Sequence, residues 1–338
     1  MKILIATGIY PPEIGGPAEY ARNLSSEWTK TGHEVSVAVF SKWNFLPTGV
    51  RHLAYFFAML PKVARSDAIF ILDTFSAALP ATLAGLLFGK KTILRTGGDF
   101  LWESYVERTG DLVLLSDFYK TSFNKLNGKE KLAFKCIRFV LRNVSVLVFS
   151  TKWQQDIFWY PYDLQRRESV IIENYYGPKI TGLVSDSRPG KQFLASTRNL
   201  RWKNIGVLEE IFNSPDVRES ASLFTKPVPR GEFIAEMNAS YAVILASLGD
   251  ISPNMILDAI RLNKPFILTE ETGIADRVKG IALLVDPKNP EDIKKKVLWL
   301  LDERNYSEQK RKIENFAFTH GWEEMAQEYV DLFKSIEI

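Results

Sequence analysis

Tyr241-Ala-Val-Ile-Leu-Ala-Ser-Leu-Gly-Asp-Ile-Ser-Pro-Asn-Met-Ile-Leu-Asp258 is a strand, a polar loop and a helix in succession. The run 241–246 is short, apolar and β-branched, the pattern of a buried strand. Residues 247–250 form the loop. Ser252 reads as a helix N-cap and Pro253 as the first helical residue. The helix should run to about Leu262, where Asn263 can end it, and Lys264-Pro265 leads into the apolar run Phe266-Ile-Leu268. A helix N-terminus aimed out of the carboxyl edge of a parallel sheet is a natural phosphate site. The carboxylates of Asp250 and Asp258 beside it would suit sugar hydroxyls, which need acceptors. The plainer alternative makes Asp258 a polar position on a helix face and Asp250 a loop residue, because two aspartates at this spacing are common by chance.

The start of the chain carries a second unit of the same kind. Lys2-Ile-Leu-Ile-Ala6 has a buried-strand pattern, and Glu34-Val-Ser-Val-Ala-Val39 alternates as a strand. Between them lies a helix with Tyr20, Ala21, Leu24 and Trp28 at helical spacing, closed by Thr31-Gly32-His33. Together they make a βαβ unit. Gly15-Gly16 at the mouth of that helix would let backbone N–H groups approach a phosphate or sugar with no Cβ in the way. The dinucleotide fingerprint G-x-G-x-x-G does not follow this strand. His33 reads as a helix C-terminal histidine rather than a catalytic one.

A third stretch, Arg198-Asn-Leu-Arg-Trp-Lys203, sets two cations five residues apart just before a helix over 205–212. Two such cations beside a helix N-terminus can neutralise a bound anion. The chain has no Asp-x-Asp to clamp a metal. Arg, Lys and helix dipoles can take that role. Arg201 reads as a solvated bystander.

Together these stretches resemble the retaining GT-B glycosyltransferases, most closely glycosyltransferase family 4. The family's donor signature is an acid, seven other residues and a second acid, usually both Glu. Here both are Asp, and Ile251-Ser252-Pro253-Asn254 replaces the usual glycine-rich stretch. The resemblance implies an α/β chain of two Rossmann-like domains facing a cleft. It implies that Arg198 and Lys203 grip the donor diphosphate and that Asp250 binds the donor sugar's hydroxyls. Asp258 would take the ribose hydroxyls, Ser252 and Asn254 would lie at the donor-binding helix mouth, and Gly15 and Gly16 would line the facing wall. Asp99, in the glycine-hinged loop Arg95-Thr96-Gly97-Gly98-Asp99, would contact the donor sugar, with Phe100, Trp102 and Glu103 shaping the acceptor side. The implied reaction moves a sugar from a nucleotide-diphosphate donor to a hydroxyl of a glycan, lipid-linked or small-molecule acceptor. It keeps the anomeric configuration and needs no metal or cofactor. A catalytically degenerate subunit that binds a nucleotide sugar or a partner is the alternative.

The rest of the chain fits. Its 338 residues suggest two domains. A hydrophobic share of 46% and a charged share of 25% are those of a soluble globular protein. The single cysteine, Cys136, excludes an intrachain disulfide framework. A net charge of +3 gives no reason to expect nucleic acid. The N-terminal domain is expected over 1–176, a Gly/Pro/Ser-rich hinge over 177–190, and a nucleotide-sugar domain over 191–316. A C-terminal helix within 317–338 should pack back toward the first domain. The apolar stretch 75–89 contains Pro80 and reads as a buried helix. Most of Trp43, Phe45, Tyr55, Phe56 and Phe57 read as core. No signal peptide or spanning segment is expected, which points to the cytoplasm. Lys131, Lys135, Arg138 and Arg142 share one face of a helix over 130–143, a face suited to an anionic membrane leaflet or simply to water.

Overall fold

The computed structural model describes residues 1–13, 15–182, 190–195 and 200–336. The chain divides into two compact units: Met1–Leu101 with Lys125–Asn174 and His320–Ile338, and Trp102–Asn124 with Tyr175–Thr319. The expected hinge lies partly outside the described residues.

The elements up to residue 174 run β1 (Lys2–Thr7), α1 (Gly16–Lys30), β2 (Glu34–Val39), α2 (Val50–Arg65), β3 (Ala68–Leu72), α3 (Ala78–Leu87), β4 (Lys91–Arg95), α4 (Phe100–Thr109), α5 (Leu115–Thr121), α6 (Gly128–Asn143), β5 (Val146–Phe149), α7 (Lys152–Trp159) and β6 (Ser169–Ile171). The six strands form one parallel sheet in the order β2-β1-β3-β4-β5-β6. β3 and β5 are fully buried apolar runs, as a sheet covered on both faces requires. Right-handed crossovers send α1 to one face and α2, α3 and α6 to the other. α3 accordingly packs between α2 and α6. Helix α1 ends in a Schellman motif: Gly32 has φ +82°, His33 N–H donates to Trp28 O, and Gly32 N–H to Thr29 O.

The remaining elements are β7 (Lys191–Leu194), α8 (Ile205–Asn213), α9 (Pro215–Arg218), β8 (Ala221–Phe224), α10 (Arg230–Ala239), β9 (Ala242–Leu245), α11 (Asn254–Arg261), β10 (Phe266–Thr269), α12 (Ala275–Val278), β11 (Leu283–Val285), α13 (Pro290–Leu301), α14 (Glu303–Glu314) and α15 (Trp322–Ser335). Their strands make a second parallel sheet, β11-β10-β9-β7-β8. Helix α15 belongs to the first unit, where it packs on α1. The Tyr329 and Tyr20 hydroxyls lie 2.7 Å apart, and Trp28 Nε1 donates to Ala326 O.

Three expectations are corrected. Ser252 is not the N-cap of α11: Pro253 is the N-cap residue, it makes no side-chain cap bond, and the helix starts at Asn254. Its other end is as read, because Asn263 at φ +54° closes a Schellman motif with Lys264 N–H on Ala259 O. The stretch 75–89 holds a helix that is buried over most of its length but not all round. Ala78, Pro80, Ala81, Thr82, Ala84 and Gly85 of α3 are buried, while Leu83, Leu86 and Leu87, with Phe88 after it, face out. Of the five aromatics read mostly as core, only Tyr55 is buried, and Phe45 and Phe57 are exposed. Among the described residues no helix is long and apolar enough to cross a membrane.

Candidate functional site

The second sheet presents its carboxyl edge through three loops. Residues 246–253 follow β9, 270–274 follow β10, and Arg201–Lys203 form a single 3-10 turn before α8. These loops are tied by backbone hydrogen bonds. Leu248 N–H donates to Trp202 O, Asp250 N–H to Glu271 O, and Gly273 N–H to Ile251 O. Asn204 fixes the first loop from below. It adopts the left-handed conformation at φ +60°, and its buried amide donates to Ala246 O and Pro287 O.

This frame brings two of the sequence-selected residues into contact. Lys203 Nζ donates to Asp250 Oδ2 at 2.5 Å, with the two side chains only 9% and 15% exposed. The ammonium also sits 4.3 Å from the Trp202 ring centroid, and that ring packs against Trp102. An ion pair taken this far out of water contributes little net stability, because desolvation offsets its attraction. The fold alone therefore gives no strong reason to bury a lysine here.

Around this pair are buried polar atoms without hydrogen-bond partners among the described residues. They are Ser247 Oγ, Thr272 Oγ1 and Trp202 Nε1. Thr272 is bridged through its backbone to Asp250. Each such atom costs about 1–3 kcal/mol if it stays unsatisfied, so this edge is prepared for hydroxyl or phosphate oxygens that would satisfy it. None of the three was singled out by sequence, since a serine, a threonine and a tryptophan in loops carry no spacing signal.

Asp258 stands apart. It faces Arg230 at the start of α10, Nη2 to Oδ2 2.5 Å, and Arg261 one turn on, Nη1 to Oδ1 3.4 Å. The residue is 4% exposed. Burial pushes its carboxyl above the usual range, against the pull of Arg230 and then Arg261. Asn254 opens α11, and Ser252 lies in the loop before it. Arg261 could have been found as an i+3 neighbour of Asp258; Arg230, on another helix, could not.

Segment 102–124, read in sequence as part of the first domain, supplies a wall of this second unit. Leu115 N–H donates to Leu248 O. A Cβ on Gly249 would lie 2.5 Å from Leu115 Cβ and 3.2 Å from Trp102, so only glycine fits there. Ser116 Oγ donates to Glu271 Oε1, and burial raises the Glu271 carboxyl while that bond lowers it.

The other selected residues lie in the first unit, at the carboxyl edge of its sheet. Gly15 has an extended backbone and precedes α1, which begins at Gly16. A Cβ on Gly15 would meet only the end of the Ile9 side chain, so local packing does not demand the glycine. Asp99 is buried, and its Oδ1 accepts from Leu101 N–H at the start of α4, the turn-forming role weighed against sugar contact. Gln154 Nε2 donates to Gly97 O and steadies the glycine loop. At the end of β3, Asp73 accepts from the N–H groups of Phe75, Ala77 and Ala78, and burial raises its carboxyl to about 6. Arg198 lies outside the described residues. Arg201 is exposed, as a bystander should be, with its N–H donating to Glu107.

No known family model matches this sequence, and no curated protein matches it. Solved structures do. Sucrose-phosphate synthase from Thermosynechococcus elongatus is 12% identical with a TM-score of 0.67, covering 98% of each chain. The E. coli trehalose-6-phosphate structure bound with UDP-2-fluoro glucose is 10% identical with a TM-score of 0.66, covering 99% of each. The catalytic domain of starch synthase IV from Arabidopsis thaliana, bound to ADP and acarbose, is 11% identical with a TM-score of 0.62, covering 98% of each. At these identities the likeness shows the fold: two parallel-sheet α/β domains of the GT-B glycosyltransferase architecture.

Proposed function

We propose that this chain is a retaining glycosyltransferase, akin to glycosyltransferase family 4, which moves a sugar from a nucleotide-diphosphate donor to a hydroxyl acceptor. The observation that carries the reading is the Lys203–Asp250 contact among unpartnered buried hydroxyls at the mouth of α11. The fold shared with structures that hold UDP-2-fluoro glucose or ADP supports it.

In this reading Lys203 and Arg198 stabilise the leaving diphosphate. Asp250, with Ser247 and Thr272, receives the sugar's hydroxyls. Asp258 takes the ribose hydroxyls beside Ser252 and Asn254. When donor enters, Lys203 exchanges part of its bond to Asp250 for a phosphate oxygen. The carboxylate so released is free to accept from a sugar hydroxyl. The bond from the anomeric carbon to the diphosphate oxygen breaks, and the acceptor oxygen bonds to that carbon from the same face. The acceptor's proton passes to the departing phosphate oxygen. The cation work is done by side chains, so no metal is required.

A panel of nucleotide sugars tests this on the purified chain, by thermal shift and by release of nucleoside diphosphate. The matching donor at a hundredfold its dissociation constant should stabilise the fold by about 2.7 kcal/mol. Stabilisation without turnover, with every acceptor class tried, would favour the binding-only subunit. That alternative draws on Asp standing at both acidic positions and on Lys203 being already engaged by Asp250.

A further inference from the structure

The helices on one face of the first sheet are unusual in charge and in exposed apolar surface. The chain as a whole is nearly balanced, with 43 Lys and Arg against 40 Asp and Glu. Helices α2, α3 and α6, with the loop after α3, are not. They hold nine cations: three on α2, Lys90 behind α3 and five on α6. Their one acid is Glu130, which is buried and locked in the capping box of α6 with Asn127. Lys131 and Lys135 project to solvent, while Arg138 and Arg142 share Asp163 at 2.9 Å each. Lys135, Arg138, Phe139 and Arg142 line a shallow groove of about 380 Å³.

Beside these cations runs exposed apolar surface that the fold does not use. Leu53 and Phe57 on α2 are 61% and 64% exposed, and Leu87 on α3 is 65% exposed. Leu132 on α6 adds 63%. Since α3 lies between α2 and α6, these side chains belong to one face. Scattered exposed leucines need no explanation, but a ridge of them flanked by cations marks an interaction surface. The opposite face of the same sheet has the reverse character: Glu27, Glu323 and Glu324 line the groove between α1 and α15.

We infer that the α2–α3–α6 face docks on an anionic lipid bilayer, seating its apolar ridge at the headgroup level and its cations on lipid phosphates. Charge complementarity selects this occupant. Each cation near such a surface adds to the attraction, and the exposed leucines and phenylalanine enter the acyl boundary as the apolar side of an interfacial helix does. The acidic face of the unit is turned away. The docking is independent of the glycosyl-transfer reading, and its test involves no sugar.

Flotation of the full chain with vesicles provides that test. The wild-type chain should float with phosphatidylcholine vesicles that contain one-third phosphatidylglycerol. Binding should fall about tenfold or more on pure phosphatidylcholine, and likewise at high salt, where surface charge is screened. The double variant Lys131→Glu/Lys135→Glu should lose about tenfold in binding. Phe57→Ser/Leu87→Ser should lose a similar factor with every charge retained. All four residues are exposed, so circular dichroism and thermal melts should match wild type. Equal flotation on neutral and anionic vesicles, no flotation at all, or variants that bind like wild type would overturn the inference. So would a dimer in sedimentation that Phe57→Ser/Leu87→Ser disperses while flotation is unchanged, because the face would then seat a second copy.

Discussion

Asp250 and Asp258 are the same residue type on one strand–loop–helix unit, yet packing gives them different surroundings. Asp250 sits in the loop and holds one cation, the Lys203 ammonium, beside unpartnered hydroxyls. Asp258 sits on α11, buried, ion-paired with Arg230 and Arg261, while its Oδ2 has no directed hydrogen bond. A single ammonium is a point charge that a phosphate can take over. Two guanidiniums hold a carboxylate from two sides, so one can leave without stripping it of charge. The difference separates a carboxylate poised to change partners during a reaction from one that holds its place. In the proposed reaction, Asp250 belongs to the chemistry and Asp258 to nucleotide recognition.

The largest effect expected is at the cation of the exchangeable pair. Lys203→Ala should lower turnover by about 2–4 kcal/mol of transition-state stabilisation, roughly a hundredfold to a thousandfold. Arg198→Ala should behave alike if it shares the leaving group. Lys203→Ala also leaves the partly buried Asp250 carboxylate without its cation and should lower the melting temperature, so turnover is compared below that transition. Turnover within threefold of wild type in both would remove the diphosphate assignment.

Next comes the direct contrast. Asp258→Asn should weaken binding of nucleoside diphosphate itself, because the nucleotide carries the ribose whether or not a sugar is attached. Asp250→Asn should spare that affinity and slow the intact donor. Each lost charge-assisted bond should cost about 1.5–3 kcal/mol. Calorimetry with nucleoside diphosphate, paired with donor turnover, reads both. Arg230→Ala sharpens the result. If Asp258 itself receives the ribose, freeing it from Arg230 leaves affinity intact or tighter. A loss equal to that of Asp258→Asn would show instead that the carboxylate serves to aim the arginine. Small and equal effects at all three positions would reduce the eight-residue spacing to coincidence.

How much of this was legible in the sequence follows from which forces are local. Both βαβ frames could be read, because a buried parallel strand must be a continuous apolar run and a helix must repeat its apolar face. Asn263 could be read as a helix end for the same local reason. The Lys203–Asp250 pair was legible only through two separate motifs and a family resemblance, since its partners lie 47 residues apart. Arg230 was out of reach, as was the packing of Leu115 on Gly249, because both depend on tertiary contact between distant segments. The stretch 75–89 misled in a physical way. Apolar residues on every side suggest burial, but α3 has one outward face that the rest of the chain leaves uncovered. Ser252 misled by type, since a serine before a proline fits a cap that the backbone places one residue later, at Pro253.

Acid titration gives a smaller effect that again separates the two environments. Asp258 has its carboxyl raised by burial. Between the unfolded value of about 3.9 and the raised folded value, the folded chain binds more protons than the unfolded chain. Stability must therefore fall as pH rises through that window. Asp73, raised to about 6, acts in the same direction between about pH 4 and 6. Denaturation followed against pH should show this decline in wild type, and Asp258→Asn should make it shallower. A steeper decline in the variant would mean that the arginine pair, not burial, sets the proton affinity of Asp258.

The smallest effect expected is that of metal removal, and the reason lies in the same two carboxylates. To hold a divalent cation at a diphosphate, a protein offers carboxylates that have no other cation. Asp250 is ion-paired with Lys203 and Asp258 with Arg230 and Arg261, so each already has a positive side-chain partner. Among the described residues no group of three or more His, Cys, Asp or Glu is placed to hold a metal ion. In the proposed reaction the charge of the leaving diphosphate is carried by Lys203, Arg198 and the N-terminus of α11. Initial rates measured with and without EDTA should agree within error, and added Mg²⁺ or Mn²⁺ should not raise them. Loss of activity on chelation, restored by either ion, would show that one of these carboxylates leaves its side-chain partner for a metal. The loop carboxylate, with its single ammonium, would be the one to do so.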